Sequence, residues 1–280
     1  MLRITASPRF SLWINGRYVG LGPARCYPSQ QLYDEWDITP YVQEGNNAFA
    51  VLVRKPGGVA GYSLLNRVGL YMEGDIWGCD GSYTPVITDA SWKVREADWY
   101  VPTPYVISLP LGGQEHVDGQ REPALWQTAE PGDEWTPAFC LGGAGTPPWK
   151  QMKKSRLPKA IERPVTASFI WRGHTVRTRW DVRVQNLAHT LCRNEIEGQA
   201  VTRQPERGFC STEEENLFVF DCGKTSYTSV TVEVGCLTGN VRIELFYDIA
   251  FEGRPATHSA FPFPATTRFC KRSGKHPALR

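Results

Sequence analysis

Residues 9–54, RFSLWINGRYVGLGPARCYPSQQLYDEWDITPYVQEGNNAFAVLVR, decide the fold. Phe10, Leu12 and Ile14 alternate with Ser11, Trp13 and Asn15, the period of two that marks a half-buried strand. Asn15-Gly16 follows at once. Both residues tolerate positive φ, so the pair predicts a tight hairpin with residues 17–20 as the returning strand. Gly22-Pro23 ends that strand, and residues 32–36 read as a further extended segment. At Asp37-Ile38-Thr39-Pro40 the proline fixes its own φ and steers the residue before it away from the helical region, so the chain turns. Gly45-Asn46-Asn47 is a second turn. The near-continuous apolar run at 48–53 predicts a strand buried on both faces.

The same patterning extends in both directions. Leu2 and Ile4 alternate ahead of the hairpin and predict an interrupted strand. Residues 67–73 and 91–94 read as strands, the latter after a turn at 88–90. Residues 115–139 read as loop, and the glycine-rich run at 142–148 as a flexible loop. Further strands are expected at 165–171, 216–222, 229–234 and 241–247. The last two alternate through Val230, Val232 and Val234, then Val241, Ile243, Leu245 and Tyr247. Residues 186–200 carry short apolar spacing, but Gly198 and the polar content make a helix weak there.

Composition narrows the function classes. A chain of 280 residues has room for two domains, and 41% hydrophobic content supports packed cores. Charged residues make up 21% with a net charge of +2, which argues against a dedicated nucleic-acid binder with its basic stripe. Twenty-six glycines and 21 prolines suit a turn-rich all-β chain. No stretch of 18 apolar residues occurs, so no membrane span is expected. The first residues lack the apolar core of a signal peptide, which leaves a cytoplasmic location as the default expectation. The eight cysteines (Cys26, Cys79, Cys140, Cys192, Cys210, Cys222, Cys236 and Cys270) form no C-x-x-C pair, so no zinc site is expected. They read as reduced, mostly buried thiols.

The order FSLWINGRYVGLGPAR, then YDEWDITPYVQEGNNAFAVLV, resembles the accessory β-sandwich at the front of bacterial α-L-rhamnosidases. Galactose-binding-like jelly rolls of other glycosidases share a looser form. A second signature of that domain is matched by Glu115, Asp118, Arg121, Trp126, Trp135, Pro137 and Ala138, with one extra position at Gly119-Gln120. Residues 157–164 resemble its exit segment. The D-C-G-K run at 221–224 and the strands after it resemble the family's second sandwich, though Ser226-Tyr227-Thr228 and Asp248 depart from its pattern. The resemblance implies an all-β chain of two antiparallel β-sandwich domains, jelly-roll and galactose-binding-like, at 1–164 and 165–280. In the family other strands precede the one at Leu2, so the chain is expected to begin late. The family's catalytic carboxylates lie on a downstream helical toroid that this sequence does not contain.

Glycoside hydrolysis needs two carboxylates across the scissile bond. Asp34, Glu35, Asp37, Glu115, Asp118, Asp221, Asp248 and Glu252 are available, but no spacing specifies a pair, and no catalytic residue is assigned. Asp37 reads more simply as a turn cap. Asp118 and Arg121 are set to pair and order their loop, or to contact sugar. His116, His174, His189, His258 and His276 are scattered, with no metal-binding spacing. The run Gly20 to Arg25 lacks the lysine of a phosphate loop, and no nucleophile elbow occurs. Trp13, Trp36, Trp77, Trp99 and Trp126 are able to stack on sugar rings, although sandwich cores absorb most aromatics. The carbohydrate-binding candidates are Trp36, Asp118, Arg121 and Trp126. No metal or cofactor is expected. The expected partners are a rhamnose-containing glycan and a catalytic domain in cis or in trans, with neither nucleic acid nor membrane. The expectation is thus a non-catalytic accessory portion of an α-L-rhamnosidase-like enzyme. A free-standing carbohydrate-binding module and a structural or adhesion sandwich are the alternatives.

Overall fold

The computed structural model describes residues 1–27, 29–55, 67–101, 106–108, 112–113, 115–128, 130–147, 149–159, 163–175, 196–203, 205, 217–223, 240–244 and 266–271. Every regular element among them is a strand. The first seven are β1 (Leu2–Ser7), β2 (Arg9–Ile14), β3 (Arg17–Gly22), β4 (Gln31–Trp36), β5 (Phe49–Arg54), β6 (Gly69–Trp77) and β7 (Tyr83–Ile87). Short strands follow: β8 (Lys93–Val94), β9 (Tyr100–Val101), β10 (Val106–Ser108), β11 (Gly112–Gly113), β12 (Glu115–Asp118), β13 (Thr136–Pro137) and β14 (Met152–Lys154). The later strands are β15 (Ser168–Thr175), β16 (Ile196–Ala200), β17 (Leu217–Asp221), β18 (Asn240–Glu244) and β19 (Thr266–Lys271).

Two sheets enclose the main core. One is five-stranded, in the order β14-β4-β1-β6-β7, and the other is three-stranded, in the order β3-β2-β5. The chain passes from the first to the second across the single residue Pro8. Leu2, Ile4, Ala6, Met72 and Val86 from the first sheet meet Phe10, Leu12, Ile14 and Val19 from the second, with Ile38 closing one side. All are buried. Each fully buried large apolar side chain of this kind contributes ~1.5–3 kcal/mol. The period of two read from Phe10, Leu12 and Ile14 is therefore the inner face of β2.

The hairpin forms as its sequence dictates. Asn15 has φ 51° and Gly16 φ 74°, the two positive values that a type I′ turn requires. The Asn15 side chain also ties this turn to the next. Its Nδ2 donates to the Tyr41 carbonyl at 3.0 Å and to Asn47 Oδ1 at 2.8 Å, and its Oδ1 accepts from the Ala48 amide at 2.8 Å. Thr39 N donates to Asp37 Oδ1 at 3.0 Å, the turn cap expected there.

Several elements differ from the sequence reading. β5 is half-buried along Phe49–Val53 rather than buried on both faces, because it is an edge strand of a three-stranded sheet. β6 begins two residues later than expected and runs on to Trp77. At 91–94 only Lys93–Val94 is strand, since Asp89 Oδ1 accepts from the Ser91 amide at 2.8 Å and draws Ser91 and Trp92 into a turn. Pro85 hid β7 from the reading, yet an edge strand tolerates a residue that cannot donate. The loop expected at 115–139 contains β12 and β13, and residues 196–200 are strand β16. Of the four cysteines whose side chains are described, Cys79 and Cys140 are exposed and Cys26 and Cys222 half-buried, so the expectation of mostly buried thiols fails there. Cys79 and Cys140 sit on connecting segments rather than on inward strand positions. The strand expected at 229–234 and the tail of 241–247 lie outside the described residues.

Beyond the two main sheets, β16-β15-β17 form an antiparallel sheet. β18-β19-β12-β9 combine strands from both sides of residue 164.

Candidate functional site

The four sugar-binding candidates fall in two places. Trp36, on β4, points to the inner side of its sheet, since Leu2 lies opposite it in register and both join the core. Its ring packs over Gly20, where an added Cβ would lie 2.6 Å from Cζ2 and closer still to Cη2. Lys159 covers the ring at 3.6 Å from its centroid and donates to the Glu35 carbonyl. The indole Nε1 is buried without a hydrogen-bond partner among the described residues.

Asp118, Arg121 and Trp126 cluster elsewhere. Arg121 Nε pairs with Asp118 Oδ2 at 3.2 Å, and Asp118 Oδ1 accepts from the Gln120 amide at 3.0 Å. This carboxylate therefore orders the turn after β12. Trp126 meets Trp13 edge-on at 5.2 Å and Trp99 at 6.0 Å, and donates from Nε1 to Glu122 Oε1 at 3.3 Å. Trp13 alternates with the core-facing Leu12 and Ile14, so Trp126 lies on the outer side of the three-stranded sheet, away from Trp36. Glu115 and His116 belong to β12, and His189, His258, His276, Asp248 and Glu252 lie outside the described residues.

Sequence reasoning missed the outer face of the five-stranded sheet. Arg3 lies opposite Glu35 on one neighbour and Glu73 on the other. Its Nε contacts Glu35 Oε1 at 3.3 Å and its Nη1 contacts Glu73 Oε1 at 3.2 Å. Lys154 bonds Glu35 from the far side, so a charge ladder crosses four strands from β14 to β6. Lys154 first, and Arg3 with it, holds the Glu35 carboxyl below its usual range. Tyr71 OH donates to Glu73 Oε2 at 2.9 Å. Next to this ladder Thr5 and Ser7 are buried although they face away from the core. Trp149, itself buried, covers that face and packs 6.1 Å from the Tyr71 ring. Gln31 Nε2 satisfies Thr5 Oγ1 at 2.9 Å and the Ala6 carbonyl at 3.0 Å beneath it. Only alternate spacing in LRITAS, with Arg3 and Thr5 between apolar residues, hinted at this second face.

The carboxylates have little freedom for acid–base work. Asp34 is the described carboxyl pushed above its usual value; burial is the cause, opposed by Lys159 and a hydrogen bond from Ser155. It sits on the inner side of β4, paired in register with Ile4. Asp37, Asp80 and Asp89 are held low by hydrogen bonds within their turns, chiefly from Thr39, Ser82 and Ser91. No group of three or more metal-ligating side chains converges among the described residues.

At the far end of β6, Trp77 is 69% exposed and Tyr83 is 52% exposed. Their rings lie 4.9 Å apart, and Tyr83 OH donates to Asp75 Oδ1 at 2.8 Å.

Residues 1–158 match the family model described as the α-L-rhamnosidase N-terminal domain. A GH78 family rhamnosidase of Bacillus sp. GL1 is similar in structure, with a TM-score of 0.52 and 32% identity over 62% of this chain and 18% of that one. An α-L-rhamnosidase of Streptomyces avermitilis complexed with L-rhamnose shares the fold, with a TM-score of 0.51 and 20% identity over 98% of this chain and 23% of that one. The chain thus spans less than a quarter of the length of either structure. No curated protein matches it.

Proposed function

This chain belongs to the α-L-rhamnosidase N-terminal domain family, and from that membership we propose that it is a non-catalytic accessory portion of a glycoside hydrolase acting on terminal rhamnose. It would position glycan, or pack against a catalytic domain supplied in cis or in trans. The observation that carries this reading is the match over residues 1–158 to a domain named for its place ahead of the enzyme's remainder. The state of the carboxylates supports it. A glycosidase needs one carboxyl poised as an acid beside an ionised partner. Here Glu35 and Glu73 share Arg3, Asp118 holds Arg121, and Asp34 faces the core. The reading divides the chain into sandwiches at 1–164 and 165–280, the first built around the two described sheets.

The test is aryl-α-L-rhamnoside turnover by the purified chain, with rhamnose and rhamnose-containing oligosaccharides titrated beside it. No turnover above a mock preparation is expected. Turnover that disappears on changing Asp34, Asp118 or Asp221 would make this chain an enzyme in its own right. A second reading, a free-standing carbohydrate-binding module, is favoured by the Trp77–Tyr83 pair. Its aromatic faces are open, and Asp75 stands beside them to accept from a hydroxyl.

A further inference from the structure

The outer face of the five-stranded sheet holds a small cavity of about 220 Å³ between the sheet and Ala144, Gly145, Trp149, Lys150 and Met152. Its floor is formed by Arg3, Tyr33, Tyr71 and Glu73, and its wall by Trp149 and Lys150. At ~30 Å³ per liquid water it has room for about seven waters, which suits one sugar ring and not an extended chain. Two features set its chemistry. The first is aromatic surface: the half-buried rings of Tyr33 and Tyr71 line the space, with the buried Trp149 closing its edge, and a pyranose has an apolar C–H face to lay against the two tyrosines.

The second is which polar groups are already committed. Glu73 is held by Arg3 Nη1 and by Tyr71 OH. The groups left without a hydrogen-bond partner among the described residues are Arg3 Nη2 and the Lys150 ammonium, both donors, and the Tyr33 hydroxyl, which can donate as well as accept. The charges around the cavity do not cancel either. Among the described residues, Arg3 and Lys154 bond Glu35 and Glu73, so Lys150 is left without an ion pair. A cavity of ring size with uncommitted donors and one surplus positive charge is complementary to an anion on a sugar.

We infer that this cavity binds a hexuronate, a sugar unit carrying a carboxylate. The ring lies against Tyr33 and Tyr71, and the carboxylate lies toward Lys150 and the free guanidinium nitrogen of Arg3. This deepens the accessory reading, since it rests on the chain handling glycan and names an acidic unit as what it holds.

Sodium D-glucuronate, D-glucose, L-rhamnose and sodium acetate are titrated into the whole chain by calorimetry at 50 and 500 mM salt. Glucuronate is expected to bind at least tenfold more tightly than glucose, rhamnose or acetate, and several-fold more weakly at the higher salt. Lys150→Gln should lose that preference, and Tyr33→Phe should weaken glucuronate several-fold. Leu157→Ala, at an exposed position outside the cavity, serves as a folded control and should leave glucuronate binding unchanged. Equal binding of glucuronate and glucose, equal binding of acetate, or a glucuronate affinity untouched by Lys150→Gln each overturns the inference. The accessory reading fails separately, by rhamnoside turnover.

Discussion

Gly20→Ala tests how tightly the β3–β4 contact is closed. Gly20 has a Trp36 ring across it, and a Cβ there would lie 2.6 Å from Cζ2 and 3.0 Å from Cζ3. Carbon atoms rest at ~3.5–4.0 Å, so the indole would have to retreat by about 1 Å. It has little room to do so, because Lys159 sits on its ring at 3.6 Å from the centroid. Overpacking of this sort costs ~1–3 kcal/mol, and displacing the cation adds ~0.5–1 kcal/mol. The expected loss is therefore about 2–4 kcal/mol, read as a lower urea midpoint with unchanged m. Gly143→Ala is the control, since nothing lies within 4 Å of a Cβ at that position. Trp36→Leu in the Gly20→Ala background should recover part of the loss by removing the ring that the new methyl meets. A Gly20→Ala loss no larger than that of Gly143→Ala, or a double variant no better than additive, would refute this account of the contact.

Three further outcomes follow from the geometry. Gly16→Val should destabilise by roughly 1–3 kcal/mol, since a β-branched residue is strained at φ 74° and its Cβ would meet Thr128 Cγ2 at 2.5 Å; an unchanged urea midpoint would mean the turn has another geometry. The raised Asp34 carboxyl takes its proton more readily in the folded state. Stability is then lost as pH rises from the unfolded value of ~3.9 through the folded one. Asp34→Asn should accordingly gain on the parent at pH 7 and not at pH 3.5 in paired urea titrations; a gain confined to the acid side would reverse the sign. Glu35 has the opposite sign: its lowered carboxyl contributes stability above its unfolded pKa that disappears as pH falls through the folded one. In Arg3→Met a carboxyl NMR titration should find Glu35 moved upward but still held by Lys154, and an unmoved Glu35 would remove Arg3 from its environment.

The local rules of the chain were legible where one residue sets its own geometry. Asn15-Gly16, Asp37-Ile38-Thr39 and the alternation of Phe10, Leu12 and Ile14 each fix a turn or a face without help from distant residues. What stayed hidden depends on partners far along the chain. Whether residues 48–53 are buried on one face or two depends on β5 being an edge strand. That Trp126 packs on Trp13 follows from a segment folding back across β2. The Arg3 ladder joins residues drawn from β1, β4, β6 and β14, and no periodicity announces such a meeting. Asp118–Arg121, three residues apart, was read from the sequence, whereas Arg95–Asp98 at the same spacing was not.

The position of β1 also bears on how this protein is made. Leu2 lies opposite Trp36 on one side and Gly74 on the other, so a strand synthesised before both of its neighbours occupies the middle of its sheet. The β2–β3 hairpin closes across two residues and can form in ~1–10 μs once its strands exist. β1 cannot pair fully until residue 74 has been added. At ~5–20 residues per second that interval is about 4–15 s, far longer than the hairpin needs. Throughout it the apolar face of Leu2, Ile4 and Ala6 has no permanent cover. Folding of the first sheet is therefore paced by translation and by long-range closure, and a chaperone that binds short apolar segments would find its substrate in the nascent LRITAS.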